Sequence, residues 1–218
     1  MSFNDLINFL DNSQATRILL LCHQNSDPDA VCSAYALQVL LGKTRPNLNV
    51  EIGTGDTVSR LTKNLYSYIP VSVNLKPVVE DAQAIILLDT NTLQQLNGLS
   101  EKVSKTTAPI IVVDHHSAHP DTLAISKLCI IKDDAPSTCN IVYGFYQEQG
   151  IKLDLNEARA LFLGIAFDTR HFILANSSTF KAIADLIDNG VNAQEALRML
   201  ALPMDLSERV ARVKSCRR

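Results

Sequence analysis

An acid and two histidines follow a run of four apolar residues near the middle of the chain. The run is Ile110–Val113, and the tripeptide is Asp114-His115-His116. Apolar, mostly β-branched residues without alternation predict a strand that is buried on both faces. Ligands of α/β proteins bind beyond the carboxyl ends of such strands, so the tripeptide lies where chemistry is expected. Alone it is a weak signal, because an ordinary polar strand end has the same composition.

Other predicted elements end in the same kinds of side chain. The apolar run at 17–22 leads into His23, Asp27 and Asp29, the run at 84–88 ends at Asp89, and a helical pattern leads to Asp168. Any one of these residues could be a helix cap or a turn residue. Eight such residues at the ends of separate elements favour one site instead. The set is His23, Asp27, Asp29, Asp89, Asp114, His115, His116 and Asp168.

Carboxylates and imidazoles together are the ligands of Mn, Fe, Co or Zn. So many converging acids require a cation, since several would otherwise have to stay protonated. The number of acids predicts two metal ions rather than one. Two ions ~3.5–4 Å apart can stabilise the attacking and leaving oxygens of a phosphoryl displacement. No cysteine joins the pattern, which disfavours a structural thiolate zinc site.

Strands and helices alternate over most of the chain, which predicts an α/β fold. We expect a doubly wound, mostly parallel five-stranded sheet with helices on both faces, followed by a helical C-terminal segment. The predicted strands are 17–22, 49–52, 84–88, 110–113 and 128–131. The predicted helices are 2–10, 30–41 with Gly42 as C-cap, 59–68, 134–149, 156–167, 178–189, 193–200 and 205–218. The segment at 53–56 is expected to be a turn whose glycines need positive φ.

Composition bounds the class of protein. The chain has 218 residues, 46% of them hydrophobic, and a net charge of −3. This charge leaves no global electrostatic footprint for long duplex nucleic acid. Five cysteines without a CxxC spacing indicate reduced, mostly buried thiols, and no signal peptide or membrane span is visible. We therefore expect a cytoplasmic protein with no membrane partner.

Four motifs stand in a fixed order, namely HQNSDPDA at 23–30, LLDT at 87–90, VVDHH at 112–116 and GIAFDTRHF at 164–172. The segment APSTCNIVY at 135–143 is an auxiliary match. By these motifs the chain resembles the DHH phosphoesterase superfamily. That superfamily includes RecJ-type exonucleases, NrnA-type oligoribonuclease/pAp phosphatases and family II inorganic pyrophosphatases. The resemblance covers nearly the whole chain.

The resemblance implies a dinuclear site for divalent ions, usually Mn²⁺, with Mg²⁺ or Co²⁺ possible. One ion would be held by His23, Asp27 and Asp89 and the other by Asp29, Asp89, His115 and Asp168, so that Asp89 bridges them. His116 would be catalytic and face the substrate phosphate. Asp114 would support catalysis by orienting a neighbouring histidine. Because consecutive residues leaving a strand point in opposed directions, His115 and His116 are not expected to serve one ion together.

Three further residues are candidate substrate contacts. Arg170 could contact a phosphate oxygen, with a surface salt bridge as an equally weighted alternative. Ser137 and Thr138 begin a predicted helix and could help to hold an anion, although plain capping is the stronger expectation. His119 is expected in a surface loop, and His171 is left without a role.

The resemblance also suggests how the chain is divided. We expect a DHH phosphoesterase catalytic domain at 1–190 and a helical segment at 191–218 that resembles an interdomain linker. The glycine-rich or basic second domain of longer family members is not visible in this sequence. The segment at 209–218 is basic and is expected to be loosely held or to pack in a homodimer.

Three functions remain open. The first is a metal-dependent phosphoesterase, with exonuclease or oligoribonuclease activity as its narrower form, that hydrolyses short oligonucleotides or nucleotides such as pAp. The motif details at 137–138 and 168–172 favour this NrnA-like function. The second is a manganese-dependent inorganic pyrophosphatase. The third is a nucleotide-binding or partner-binding module that retains the fold without catalysis.

Overall fold

The computed structural model of the protein describes residues 1–117 and 119–201, which build a five-stranded sheet with helices on both faces. The strands are β1 (Arg17–Cys22), β2 (Asn49–Thr54), β3 (Ala84–Leu88), β4 (Ile110–Asp114) and β5 (Ser126–Ile131). Their order in the sheet is β2-β1-β3-β4-β5, and every pairing is parallel. The predicted fold class is therefore confirmed, with a sheet that is entirely parallel.

The helices alternate with the strands and then follow one another after β5. They are α1 (Phe3–Ser13), α2 (Pro28–Thr44), α3 (Arg60–Leu65), α4 (Ser100–Lys105), α5 (Pro120–Ile125), α6 (Thr138–Gln149), α7 (Leu155–Asp168), α8 (Ser177–Asp188) and α9 (Ala193–Met199). Two short 3₁₀ segments cover Val79–Asp81 and Leu93–Leu99.

The two faces of the sheet carry separate cores because successive strand residues point to opposite sides. On one face Leu20 and Ile86 pack with apolar residues of α1, α2, α6 and α7. On the other face Leu21 and Leu87 pack with Leu96 and the helix α4. The burial of both faces explains why β1, β3 and β4 have unbroken apolar sequences.

Polar residues set the starts of the helices near the site. Asp27 is the N-cap of α2 and accepts a hydrogen bond from the Ala30 amide at 3.1 Å, while Pro28 occupies the first turn. Ser137 caps α6 by accepting from the Asn140 amide at 3.0 Å. Gly150 ends α6 with a φ of 61°, a left-handed conformation that glycine adopts without strain.

Several local boundary predictions are wrong, among them the helix predicted at 59–68, which ends at Leu65. Helix α2 does not stop at Gly42 but continues to Thr44. Strand β2 extends through Gly53, and the left-handed φ of 59° in this segment belongs to Asp56, not to a glycine. The helix expected from residue 134 begins at Thr138, where Ser137 caps it. The helix predicted at 205–218 and the basic segment at 209–218 lie outside the described residues.

The start of the C-terminal segment packs on the same core as the helices before it. In α9, Ala196 is buried against that core, and Leu200 just beyond α9 is 6% exposed. The division at residue 190 remains a prediction. Within residues 1–117 and 119–201, no helix has both the length and the apolar character needed to cross a membrane. Among the same residues, Cys22, Cys32, Cys129 and Cys139 are free thiols.

The topology places the predicted site at the centre of the sheet. After β1 the chain leaves by α2 to the edge strand β2, and it later returns to β3 on the other side of β1. The carboxyl ends of β1 and β3 therefore lie side by side at a point where the winding direction reverses. Ligands of open α/β sheets bind at such a point.

Candidate metal centre

The turn between β1 and α2 holds His23 in a fixed orientation. The Nδ1 atom of His23 lies 2.9 Å from the Gln24 carbonyl oxygen, so Nδ1 carries the hydrogen and donates it. The Ser26 and Thr54 hydroxyls both donate to the His23 carbonyl oxygen, at 2.5 and 2.7 Å. This leaves the Nε2 atom of His23 facing Asp27 Oδ2 and Asp89 Oδ2, each at 3.8 Å.

Asp89 lies between two histidines. Its Oδ2 faces His23, and its Oδ1 lies 3.5 Å from His115 Nε2. Its backbone has a φ of 52°, a left-handed conformation that costs energy for a residue other than glycine. The residue follows β3 directly, and its side chain is 4% exposed. One buried carboxylate thus presents a separate oxygen to each histidine.

His115 joins two acids from distant parts of the chain. Its Nε2 lies 3.0 Å from Asp168 Oδ2 and 3.5 Å from Asp89 Oδ1. Asp168 is the last residue of α7, so it reaches the site from a helix end and not from a strand end. The ligand atoms of Asp29, His115 and Asp168 all lie within 4.8 Å of one another.

Asp29 is fully buried and is held by the N-terminus of α6. Its Oδ2 accepts from the Thr138 amide at 2.7 Å and its Oδ1 from the Cys139 amide at 3.0 Å. The Thr138 hydroxyl donates to Asp89 Oδ1 at 3.1 Å. The partial positive charge of a helix N-terminus stabilises the carboxylate there. The anion at this helix end is thus a side chain of the protein itself.

His116 and Asp114 form a pair at the rim of the cluster. The Nδ1 atom of His116 lies 2.8 Å from Asp114 Oδ1, which also accepts from the His116 amide at 2.9 Å. Asp114 is fully buried, whereas the His116 side chain is 48% exposed. With Nδ1 engaged, His116 has its Nε2 available to a ligand. The hydrogen bond between the His116 ring and the accepting Asp114 carboxylate raises the pKa of His116.

The expected divergence of His115 and His116 is wrong. Their ring centroids lie 4.1 Å apart. The alternation argument fails because β4 ends at Asp114 and the two histidines lie in a bend beyond it. Both rings face Asp89 Oδ1 at 3.5 Å, His115 through Nε2 and His116 through Nδ1. What separates them is the second acid, which is Asp168 for His115 and Asp114 for His116.

The cluster concentrates buried negative charge. Burial and the charge of Asp89 raise the pKa of Asp29 well above its usual range, and burial raises the pKa of Asp89. Burial would lower the pKa of His115, but the Asp168 and Asp89 carboxylates close to its Nε2 raise it to about 11. Burial likewise opposes the charge on His23, yet Asp27 brings its pKa to about 9. Without another cation, protons must balance these carboxylates.

The donor set fits divalent metal ions. Potential ligand atoms form three overlapping groups, namely Asp89/Asp114/His115/His116, His23/Asp27/Asp89 and Asp29/His115/Asp168. The buried Nε2 of His115 makes no hydrogen bond of acceptable geometry among the described residues, although a carboxylate lies 3.0 Å away. An imidazole nitrogen without a hydrogen-bond partner amid carboxylate oxygens is suited to Mn²⁺, Co²⁺ or Zn²⁺.

The structure gives less direct support to the predicted substrate contacts than to the predicted metal ligands. Ser137 and Thr138 are fully buried, and the hydrogen bonds described for them go to protein atoms. Their position agrees with capping and with the support of Asp29. Arg170 lies two residues after Asp168 in an exposed turn with a φ of 50°. His119 caps α5, accepting from the Asp121 amide at 3.3 Å, and His171 is exposed.

The sequence did not predict one functional group, the backbone amide of Cys139. The Cys139 amide supports Asp29 as closely as the Thr138 amide does, yet nothing in a cysteine side chain suggests this. The available signal was the predicted helix start at 137–138, where an anion was the weaker alternative to plain capping. The sequence did not reveal that this anion is Asp29, because the two segments are about one hundred residues apart.

Comparison with known proteins places this fold and site in a family. The model of the DHH family, N-terminal domain, matches residues 17–165. This match spans more than half of the chain and contains the residues of the cluster apart from Asp168. The chain belongs to the DHH family.

Several known proteins are similar over nearly all of this chain. An uncharacterised protein of Methanocaldococcus jannaschii is 35% identical over 214 residues, which is 98% of this chain and 63% of that protein. A probable manganese-dependent inorganic pyrophosphatase of Streptococcus thermophilus is 30% identical over 207 residues, covering 90% and 63%. The crystal structure of an exopolyphosphatase-related protein from Bacteroides fragilis has a TM-score of 0.81 at 20% identity, covering 94% of this chain and 62% of that one. The chain therefore spans less than two thirds of the length of these proteins.

Proposed function

We propose that the protein is a metal-dependent phosphohydrolase whose site holds two divalent ions, most simply Mn²⁺. The observation that carries the proposal is the arrangement of Asp89, which turns one oxygen to His23 and the other to His115. Membership of the DHH family supports it, and so does the similarity to a probable manganese-dependent pyrophosphatase.

The residues divide into two sets around Asp89. His23, Asp27 and Asp89 would hold one ion, and Asp29, Asp89, His115 and Asp168 the other. When bound, the ions would polarise the phosphoryl group and make a water nucleophilic near neutral pH. The backbone of α6 holds Asp29 and the Gln24 carbonyl orients His23, so the protein supplies pre-arranged ligands.

His116 acts on the substrate in this proposal. Asp114 fixes its Nδ1–H, so that Nε2 can donate a hydrogen bond to a phosphate oxygen or a proton to the leaving oxygen. Its raised pKa keeps more of the imidazole protonated near neutral pH. Asp114 is thus a positioning residue for His116. Arg170, on the exposed turn after Asp168, is proposed as an additional phosphate contact.

The proposed substrates are short oligonucleotides or nucleotides such as pAp. The motif details at 137–138 and 168–172 support this choice. Inorganic pyrophosphate is the second candidate, favoured by the 30% identity to a probable pyrophosphatase. Both substrates present a phosphoryl group, so the cluster described here serves either one. Residence in the cytoplasm, absence of a membrane partner and a possible homodimer also remain proposals.

A substrate panel tests the proposal. Metal-depleted protein is loaded with Mn²⁺ and offered pAp, a dinucleotide, a cyclic dinucleotide, pyrophosphate and p-nitrophenyl phosphate. Hydrolysis of pAp or the dinucleotide in preference to pyrophosphate supports the first candidate, and the reverse order supports the second. If no substrate is cleaved although metal is bound, the protein is a binding module.

A further inference from the structure

Three helices meet directly behind the candidate metal centre. They are α2, which carries Asp29 in its first turn, α6, whose first amides hold that carboxylate, and α7, which ends in Asp168. Gly164 lies on α7 at the point where the three come together. A Cβ atom on residue 164 would lie 2.2 Å from Cys139 Sγ, 2.9 Å from Asp29 Oδ1 and 3.2 Å from Asp29 Cα. The first two distances are shorter than real Cβ atoms keep from their neighbours. A side chain at residue 164 would therefore force the surrounding atoms to move.

Asp29 cannot simply move aside. Each of its carboxylate oxygens already accepts a backbone amide of α6, from Thr138 at 2.7 Å and from Cys139 at 3.0 Å. Its Cα belongs to α2, and Asp29 is fully buried. The clash between a Cβ atom on residue 164 and Asp29 can therefore be relieved in two ways. Either the Asp29 side chain rotates away from α6, or α7 moves away from α2.

Movement of α7 would displace a second acid of the same group. Gly164 and Asp168 are four residues apart on α7, so they lie on one face of the helix, one turn from each other. Asp29, His115 and Asp168 form one of the groups of potential ligand atoms. Another of these groups is His23, Asp27 and Asp89. These residues lie at the ends of β1, α2 and β3, so none of them belongs to α7.

From this geometry we infer that Gly164 is a positioning residue for one half of the metal centre. Its missing side chain lets α7 approach Asp29 closely enough for Asp29 and Asp168 to serve one ion with His115. The inference rests on the proposed two-ion function and adds a residue to it. Gly164 touches neither ion nor substrate.

The test compares Mn²⁺ affinities of metal-depleted variants by calorimetric titration. The variant Asp29→Asn changes a proposed ligand of this half of the site directly, and its loss of Mn²⁺ affinity is the reference for the other variants. Gly164→Ala should lower the affinity for one of the two Mn²⁺ ions by about 10- to 100-fold, as loss of a supporting contact does at other metal sites. The other ion should bind as in the unsubstituted protein. High Mn²⁺ concentrations should restore turnover.

Gly144→Ala is the matched control. Gly144 also lies inside a helix, and a Cβ there would meet nothing within 4 Å. Since alanine favours helix over glycine by about 1 kcal/mol, this variant should be as stable as the unsubstituted protein or more so. A general effect of alanine in a helix would change both glycine variants alike, whereas a positioning role changes only Gly164→Ala.

The double variant Cys139→Ala/Gly164→Ala separates packing from positioning. It removes the sulfur that lies 2.2 Å from the added atom but leaves the approach to Asp29. It should regain thermal stability over Gly164→Ala without regaining the lost affinity, and it serves alone if Gly164→Ala does not fold. Full recovery of both ions in the double variant would overturn the inference. So would two unweakened ions in Gly164→Ala while Asp29→Asn weakens one. Failure of the unsubstituted protein to bind two ions would instead remove the proposed function itself.

Discussion

A single carboxylate, Asp89, connects the two halves of the proposed metal centre. Its Oδ2 faces His23 and its Oδ1 faces His115, and its backbone has a left-handed φ of 52°. We predict that Asp89→Asn loses both ions or retains one weak site while remaining folded. Metal content after dialysis and circular dichroism measure the two effects. Asp134→Asn, on an exposed loop, is the control and should keep both ions. Unchanged stoichiometry in Asp89→Asn would contradict the bridging role.

His116 should behave differently from the ligands. Its Nδ1 is occupied by Asp114 and its side chain is half exposed, so its removal leaves the two ligand sets intact. We predict that His116→Ala keeps both ions and loses about 10²- to 10⁴-fold in turnover, the range of a general acid. Asp114→Asn should lower turnover in the same direction. Steady-state kinetics and metal analysis provide the readouts. If His116→Ala loses an ion and His115→Ala does not, the two roles are exchanged.

The sequence identified most of the clustered side chains because strand ends of a parallel sheet converge on one edge. His23, Asp89 and His115 follow this rule directly. Asp168 does not, because it ends a helix, and it was indicated by the end of a helical pattern and by its place in a motif. The close approach of the His115 and His116 rings could not be predicted, since it depends on a bend beyond the strand. The support of Asp29 by the Cys139 amide depends on tertiary packing and left no local signal.

At the scale of elements, α2 and α7 are joined at the end far from the metal centre by a partly buried ion pair. Lys43 Nζ lies 2.8 Å from Glu157 Oε1, and the Glu157 side chain is 2% exposed. Glu157 also accepts from the Asp154 amide at 3.1 Å, which closes the capping box of α7. The pair therefore fixes the same two helices that meet at Gly164.

We predict that Lys43→Met destabilises the protein by about 1–3 kcal/mol, because it leaves a buried carboxylate with the Asp154 amide but without a neighbouring cation. Chemical denaturation measures the change. The control is Lys105→Met, which removes an exposed pair with Glu101 and should cost less than about 0.5 kcal/mol. Glu157→Gln added to Lys43→Met should recover part of the loss. Equal effects of the two lysine substitutions would show that burial of Glu157 is not decisive.

The existence and type of the elements could be predicted where the pattern was long and unbroken. Strands β1 and β3 match their predicted bounds at both ends. Boundaries failed where a local signal did not decide the structure, as at Gly42, an exposed residue through which α2 continues to Thr44. Asp134 is a capping-type residue that precedes the real cap, Ser137, and the sequence offered no means of choosing between the two.

At the scale of the whole molecule, the metal centre links stability to pH. Without metal, protonated His23 and His115 balance the buried carboxylates, with pKa values of about 9 and about 11. A histidine whose folded pKa exceeds its unfolded value of 6.5 stabilises the fold below pH 6.5. For His23 that contribution disappears as the pH rises from 6.5 to about 9. The raised pKa values of Asp29 and Asp89 act in the same direction, because ionising these buried acids disfavours the folded state.

We therefore predict that the metal-free protein loses thermal stability between pH 6.5 and about pH 9, whereas the Mn²⁺-loaded protein loses little. Ions replace the protons, so binding should release protons, and apparent affinity should rise with pH. Melting temperatures with Mn²⁺ and with a chelator, taken across this range, measure the difference. Calorimetry in buffers of different ionisation enthalpy counts the protons released. His119→Ala, outside the centre, should preserve the pattern, and Asp89→Asn should abolish it. A stabilisation by Mn²⁺ that does not grow with pH would show that protons and metal do not compete for these residues.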